Sequence, residues 1–348
     1  MKKARIIYNP TSGKELIKRF LPDILDELES LGYETSAFAT TADKNSAYEE
    51  AKRVGLLEFD LIVAAGGDGT ISEIVNGIAF LEKRPKLAII PAGTTNDYAR
   101  ALKIPRTNPL KAIRVLQKNQ TVKMDIGKAN EKYFINIAAG GGLTELTFEV
   151  PSKVKKTLGY LAYLAKGAEM LPRIKPVNLR ITYNEGVYEG ETSMFFVGLT
   201  NSAGGFETIA PGAKLDDGNF SLLIVKRANI FEILSILAKA LNGGKHVNDP
   251  KVIYTKTSNI KLETINHKER LMINLDGEYG GDAPVQFQNL HQHLEFFVDL
   301  NLINDGVLLD YQEKKKEYEE VVNKYVHELE AVIQEGLDDD DMVGPHNY

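Results

Sequence analysis

The first third of the chain alternates short, uninterrupted apolar runs with longer stretches of helical spacing. Residues 5–8 form the first run. Leu16, Ile17, Phe20, Leu21, Ile24, Leu25, Leu28 and Leu31 then recur every three or four positions, which predicts an amphipathic helix. Residues 33–40 read as a second strand and 47–54 as a short helix. Residues 61–65 are apolar without a break, as a parallel strand covered on both faces requires. A helix over 71–81 and another buried strand over 87–90 follow. This rhythm predicts a parallel sheet with helices on both sides. Such sheets bind ligands beyond the carboxyl ends of their strands.

Past about residue 125 the period falls to two. Strands are expected at 122–128, 133–138, 177–183, 187–199, 220–225, 252–257, 260–263, 271–275, 283–287 and 294–298. Turn signals such as Asn184-Glu185-Gly186 and Asp216-Asp217-Gly218 separate several of them. The pattern predicts a largely antiparallel β sandwich, interrupted by helices near 152–171 and 230–241. The fold class is therefore α/β plus mainly β. Residues 1–125 form an α/β domain, to which a strand near 295–300 can return. Residues 126–300 form a β-sandwich domain, and 301–348 a charged tail. In that tail Tyr318, Val322, Tyr325, Leu329 and Val332 line one stripe of an amphipathic segment. It ends in Asp338-Asp339-Asp340-Asp341, expected to be disordered.

Composition narrows the picture. The 348 residues suit two domains, and 43% hydrophobic with 26% charged residues is ordinary for a globular protein. The absence of cysteine rules out disulfides and thiolate metal sites and suits a reducing cytosol. The N-terminal apolar run stops at Asn9-Pro10, too early for a signal peptide, and no run reaches the ~18 apolar residues of a spanning helix. The expectation is a cytoplasmic protein that meets lipid, if at all, at the inner face of the membrane. The net charge of −6 is unevenly spread: residues 301–348 carry 13 acidic and 4 basic side chains, leaving residues 1–300 at +3. That is too little positive charge to argue for nucleic acid, but it permits approach to an anionic surface.

Three glycine- or hydroxyl-rich segments each follow a predicted strand of the first domain: Asn9-Pro10-Thr11-Ser12-Gly13, Gly66-Gly67-Asp68-Gly69-Thr70 and Gly93-Thr94-Thr95-Asn96-Asp97. Phosphate oxygens need many donors at close range, and glycines let backbone N–H groups turn inward. Helices starting after Gly13 and Thr70 add positive dipole ends. Taken alone, Asn9–Gly13 serves equally well as a helix-capping turn. Three such loops on one sheet edge favour a nucleotide site. The P-loop and dinucleotide-binding signatures are both absent.

Gly66-Gly67-Asp68-Gly69-Thr70, with Glu73 and Asn76, resembles the nucleotide signature of diacylglycerol and sphingosine kinases; the core is shared with the more distant NAD kinases and phosphofructokinases. Pro91-Ala92-Gly93-Thr94-Thr95-Asn96-Asp97-Tyr98-Ala99-Arg100 is similar to a run confined to the lipid-kinase branch. The resemblance spans roughly residues 1–300 and is strongest to the soluble diacylglycerol kinases of Gram-positive bacteria. It implies phosphorylation of diacylglycerol to phosphatidic acid by ATP and Mg²⁺, at an active site in the cleft between the two domains. It implies ATP contacts from Asn9, Pro10, Thr11, Ser12, Gly13, Thr40, Gly67, Asp68, Gly69, Thr70, Ile71, Ser72, Glu73 and Thr94. Asp68 would stand beside the Mg·ATP complex, and Asp97 would orient it or hold the adjacent loop. Glu278 would be the general base; read from spacing alone, Asp276-Gly277-Glu278 is as readily a hairpin turn. A second, structural Mg²⁺ would be held by the Asp217 side chain and the backbone of Lys214 and Asn219, the last standing where the family places an aromatic residue. The resemblance also implies a homodimer. Membrane contact would fall to Lys14, Lys156 and Lys166, although a core helix with solvated lysines reads the same way. His291 and His293 share a strand face and are expected to be ordinary surface histidines.

Two alternatives stay open. One is a kinase for another alcohol, such as a sphingoid base, a monoacylglycerol or NAD. The other is a non-catalytic nucleotide- or lipid-binding scaffold, against which the presence of Asp68, Asp97 and Glu278 argues.

Overall fold

In the computed structural model, residues 1–141, 176–201, 209–241, 243–266, 269–303 and 307–308 are described. The expected helices near 152–171 and in the tail lie outside them, as do Lys156 and Lys166 and the side chain of Lys14.

Four parallel strands form the first layer: β1 (Lys2–Tyr8), β2 (Tyr33–Ala39), β3 (Leu61–Gly66) and β4 (Lys86–Pro91). Their order is β4-β3-β1-β2. Every residue of β3 is buried, which explains its unbroken apolar sequence. α1 (Leu16–Ser30), α2 (Ser46–Leu56) and α3 (Asp68–Ile78) pack apolar stripes onto the sheet, burying Ile17, Ile24 and Leu28 of α1 and Ile71, Ile74, Val75 and Ile78 of α3. Register pairs Tyr8 with Ala39, Tyr8 with Ala65 and Gly66 with Pro91. The four strands therefore end level, and the loops that follow share one rim. Two shorter helices, α4 (Asp97–Ala101) and α5 (Pro109–Ile113), lead out of this layer; Asn108 caps α5 through its side chain.

The remaining strands are antiparallel. β5 (Thr121–Ala129) pairs with β6 (Lys132–Phe134); β7 (Ile137–Gly141) lies between β9 (Gly186–Gly198) and β13 (Met272–Leu275); β8 (Val177–Tyr183) lies between β9 and β12 (Asn259–Thr264). β10 (Phe220–Lys226) pairs with β9 and β11 (Val252–Thr257), with α6 (Ile230–Leu241) between β10 and β11 in the chain. Their core is aromatic: Phe134 stacks on Phe220 with ring centroids 5.8 Å apart and meets Phe287 edge-on at 6.1 Å.

Three expectations need revision. The strand expected at 133–138 is two strands, β6 and β7, broken at Ile135-Asn136. The two strands expected at 283–287 and 294–298 are one, β15 (Val285–Phe297), with a register shift between Leu290 and Leu294. A short strand, β14 (Glu278–Asp282), follows β13 and had no alternating pattern to announce it. β15 pairs with β12 and β5 and then runs parallel to β4 at Phe296 and Leu87, so one strand crosses from the β sandwich into the parallel layer.

α2 and α3 approach closely at Gly77, where an added Cβ would sit 2.5 Å from the Tyr48 carbonyl oxygen and 3.0 Å from Ala51 Cβ. Alanine is favoured over glycine in a helix by about 1 kcal/mol, but overpacking costs about 1–3 kcal/mol, and here the obstacle is backbone. Gly77→Ala is expected to lower the unfolding free energy by about 1–2 kcal/mol in denaturant titration. An unchanged or higher midpoint would show that α2 yields freely.

Candidate active site

The three loops meet at the rim. Asn9 opens the first: its N–H donates to Ala65 O (2.9 Å), and its Oδ1 accepts from Thr11 N–H (3.0 Å) and Thr11 Oγ1 (2.9 Å). A Cβ on Gly13 would stand 3.1 Å from Ala92 O, so this loop lies against the segment leading into the third. The second and third loops touch directly. A Cβ on Gly93 would fall 2.6 Å from Gly67 Cα, so only glycine admits this approach.

Asp68 ties the pair. Its Oδ2 accepts from Thr95 Oγ1 (2.8 Å) and Asn96 N–H (2.9 Å), and its Oδ1 from Asp97 N–H (2.8 Å). The third loop also closes on itself. Asn96, in the left-handed region at φ 50°, accepts from Gly93 N–H (2.8 Å) and donates to Gly93 O (2.9 Å), while Arg100 Nε donates to Thr95 O (2.8 Å). Asp97 is buried as the first residue of α4. Asp68 begins α3, whose first N–H groups lack intrahelical acceptors and point to the rim.

The other expected nucleotide residues are placed unequally. Thr40 sits at the same rim, its N–H bonded to Tyr8 O (2.9 Å). Gly69, Thr94 and Thr11 are exposed there, and Pro10, Ser12, Gly67 and Thr70 partly so. Ile71 is core, and its N–H returns to Gly67 O. Ser72 lends its carbonyl to Asn76. Glu73 Oε2 accepts from Ala47 N–H (2.9 Å), binding the start of α2 to α3.

The β sandwich supplies Glu278, exposed at the start of β14. Its Oε1 lies 4.0 Å from where a Cβ on Gly69 would stand. A carboxylate more than 200 residues away in sequence thus faces the glycine-rich end of α3.

Sequence reasoning missed two acids. Asp276, read as a turn residue, turns its carboxylate inward onto three consecutive N–H groups, those of Ile135, Asn136 and Ile137 at 2.8, 2.9 and 2.9 Å. Burial pushes its carboxyl up to about 6; the three donors pull down and the Asp68 charge adds to the rise. Ile135 and Asn136, between β6 and β7, give their N–H groups to this carboxylate rather than to a neighbouring strand, and the expected strand breaks there. Asp125, in mid-strand on β5, accepts from Gln292 N–H (2.7 Å) and Gly218 N–H (2.6 Å), and burial raises its carboxyl. A lone acid inside an apolar alternation was the only signal for it.

Asp125 reaches the loop expected to hold a structural ion. There Asp217 Oδ1 accepts from Asn219 N–H (3.0 Å), Asn219 Nδ2 donates to Asp217 O (2.9 Å), and Asp217 Oδ2 faces Lys256 Nζ at 3.5 Å. Lys214 is partly exposed beside buried Leu215. The donor set is hard oxygen, which fits Mg²⁺. At the rim, Asp68 and Asp97 are carboxylates of the kind that hold Mg²⁺ together with nucleotide phosphates and water. Among the described residues no group of three or more His, Asp or Glu side chains is arranged to hold a metal unaided.

Known proteins share this architecture. The pattern of the diacylglycerol kinase catalytic domain matches residues 3–129, and that of the YegS C-terminal NAD kinase beta sandwich-like domain matches residues 141–298. A diacylglycerol kinase of Bacillus subtilis is 52% identical over 294 residues, spanning 84% of this chain and 95% of the relative. The chain belongs to the diacylglycerol kinase family. A Staphylococcus haemolyticus diacylglycerol kinase is 48% identical over 325 residues, covering 92% of this chain and 97% of its own. Two solved Bacillus anthracis structures described as diacylglycerol kinases superpose with TM-scores of 0.75 and 0.67 at 28% and 25% identity, each over 86% of this chain and over 96% and 98% of theirs. Membership in this lipid-kinase family explains why three phosphate-sized loops and a β-sandwich carboxylate converge.

Asp68 and Glu278 should separate in their effect on stability. Asp68→Ala leaves the Thr95, Asn96 and Asp97 donors without an acceptor and is expected to lower the unfolding free energy by about 1–3 kcal/mol. Glu278→Ala, at an exposed position, is expected to stay within about 0.5 kcal/mol of wild type. Equal losses in the two variants by denaturant unfolding would contradict this division.

Proposed function

We propose that this chain phosphorylates diacylglycerol, forming phosphatidic acid and ADP. The observation that carries the reading is the approach of Glu278 Oε1 to Gly69 at the positive end of α3. Asn9–Gly13, Gly67–Thr70 and Thr94 line the nucleotide phosphates with N–H groups and hydroxyls. Asp68 and Asp97 would hold Mg²⁺, which would supply charge neutralisation and alignment of the γ-phosphoryl. Glu278 takes the proton from the free hydroxyl as its oxygen attacks γ-phosphorus, and the bond to the ADP oxygen breaks with its electron pair leaving on ADP. Asp68 also fixes the third loop, so its role is structural as well as electrostatic.

The Ile71 side chain is buried in the core, and the Glu73 carboxylate on α3 accepts from Ala47 N–H at the start of α2, so any contact of these two with nucleotide would run through their backbone. The finer proposals are a second Mg²⁺ at Lys214, Asp217 and Asn219, a homodimer, and peripheral contact with anionic membrane from the cytoplasm through Lys14, Lys156 and Lys166. Among the described residues no helix is long and apolar enough to cross a membrane, in keeping with an enzyme that visits the lipid surface.

Labelled ATP supplied with diacylglycerol, monoacylglycerol, a sphingoid base and NAD, with and without Mg²⁺, tests the assignment. Transfer to diacylglycerol above the others, abolished by chelation, is expected; preferred transfer to another acceptor would reassign the substrate. Glu278→Ala should bind ATP normally yet lose ~10²–10⁴ in turnover. Near-normal turnover would remove Glu278 from the chemistry.

A further inference from the structure

A general base must be reachable by substrate, so Glu278 cannot be packed in place. It is exposed at the first position of β14, and its direction is set by the backbone beneath it. Two side chains fix that backbone to α3, and neither belongs to the nucleotide loops.

The first is Asn76, two turns along α3 from Asp68. Its Nδ2 donates to Ser72 O in its own helix and to Tyr133 O on β6, both at 2.9 Å; its Oδ1 accepts Tyr133 N–H, also at 2.9 Å. The amide thus pairs with both polar groups of one β6 residue, as a neighbouring strand would. The second is Asp276. Two residues past Tyr133, the chain turns the N–H groups of Ile135, Asn136 and Ile137 onto its carboxylate. Asp276 N–H returns to Ile137 O at 2.9 Å. Asp276 and Gly277 both lie at positive φ, 51° and 95°, and Gly277 N–H is held by Asn274 Oδ1 at 2.8 Å. The next residue is Glu278. A continuous path of short contacts and covalent bonds therefore runs from the phosphate-binding helix through Asn76, Tyr133 and Ile135–Ile137 to Asp276 and the base.

Neither residue is an inexpensive choice. Asparagine is a mediocre residue for a helix interior. A carboxylate turned inward loses hydration that its hydrogen bonds only partly restore. The geometry they enforce lies at the one place where two distant parts of the chain must keep register.

We propose that Asn76 and Asp276 form a brace that holds Glu278 in register with the phosphate-binding end of α3. Both are positioning residues and act through Glu278. The inference rests on the reading of Glu278 as the base.

The test uses the full chain with diacylglycerol in mixed micelles. Asn76→Ala, Asp276→Asn and the double variant are each made in the wild-type and in the Glu278→Ala background. Displacement of a reacting group by about 1 Å costs on the order of 10²-fold, so each single variant should lose ~10–100-fold in kcat with the KM for ATP within about threefold. The double variant should be about as slow as the slower single, because either change opens the same brace. In the Glu278→Ala background neither should cost more than about twofold, since no base remains to be positioned. Unchanged kcat in folded Asp276→Asn would overturn the brace, as would penalties that persist undiminished in the Glu278→Ala background. Should Asn76→Ala fail to fold, Asn76→Asp keeps the acceptor for Tyr133 N–H and removes both donors, so the comparison stands. The two readings fail separately: an active Glu278→Ala enzyme removes the base itself, whereas an inactive one beside a fully active Asp276→Asn enzyme removes only the brace.

Discussion

The site depends on one carboxylate accepting three donors from a loop it does not belong to. Parallel strands deliver their loops to a common rim but do not fix one loop against another. Asp68 does that for the two that matter here, taking Thr95 Oγ1, Asn96 N–H and Asp97 N–H while it starts α3. The contact between Gly67 and Gly93 is possible only because neither carries a side chain. Together these features aim the free N–H groups of α3 and set where Asp97 enters α4. Asp68 therefore shapes the site before any ligand arrives, and a role in holding an ion would be added to that.

The second half of the molecule is tied to this seat rather than hinged loosely beside it. β15 leaves the β sandwich, pairs with β5 and finishes against β4. His293 Nε2 bonds with Ala79 O at 2.7 Å, and Arg84 Nε donates to His293 O at 2.9 Å, so the C-terminal end of α3 is held by the same strand. Burial lowers the pKa of His293. α3 is thus gripped just past its C-terminal end by β15, in its last turn by β6 through Asn76, and at its first residue by Asp68. The helix that starts at Asp68 and the turn that carries Glu278 share a frame. His291 is exposed, as expected of a surface residue, and also bonds with Asp216 O at 2.9 Å beside the loop of Asp217.

What the sequence disclosed follows from how local each signal is. The buried run at 61–65 and the stripe of α1 report their surroundings through their own residues, and both were legible. Loops ending in Gly13, Thr70 and Asp97 were legible together, because each follows a predicted strand of one parallel sheet and such loops share a rim. The break at Ile135-Asn136 was not, because the alternation of apolar residues runs straight through it and the acceptor responsible, Asp276, is 140 or so positions away. β15 was read as two strands because its register shift, with Gln292 at a positive φ of 49°, interrupts the alternation. Glu73 and Ile71 show another limit: position in a signature does not say which way a helical side chain faces, and these two face α2 and the core.

The electrostatics of the rim argue for a cation on their own. Asp68 and Glu278 lie beside the loops, and Asp276 is near enough to Asp68 for that charge to raise its carboxyl. A polyphosphate placed among them meets like charges within several ångströms, each pair costing about 4 kcal/mol at 4 Å in an environment of intermediate dielectric. A helix end offers only about half a positive charge, and its effect fades within the first turn. Backbone donors supply direction without supplying net charge. A divalent ion delivered with the nucleotide would reverse the balance, turning Asp68 and Asp97 from obstacles into ligands or water-held anchors. The acid proposed as base comes from a separate body of the fold. Glu278 approaches the same loops from β14, and to take a proton it would have to stay clear of the ion that Asp68 and Asp97 would hold.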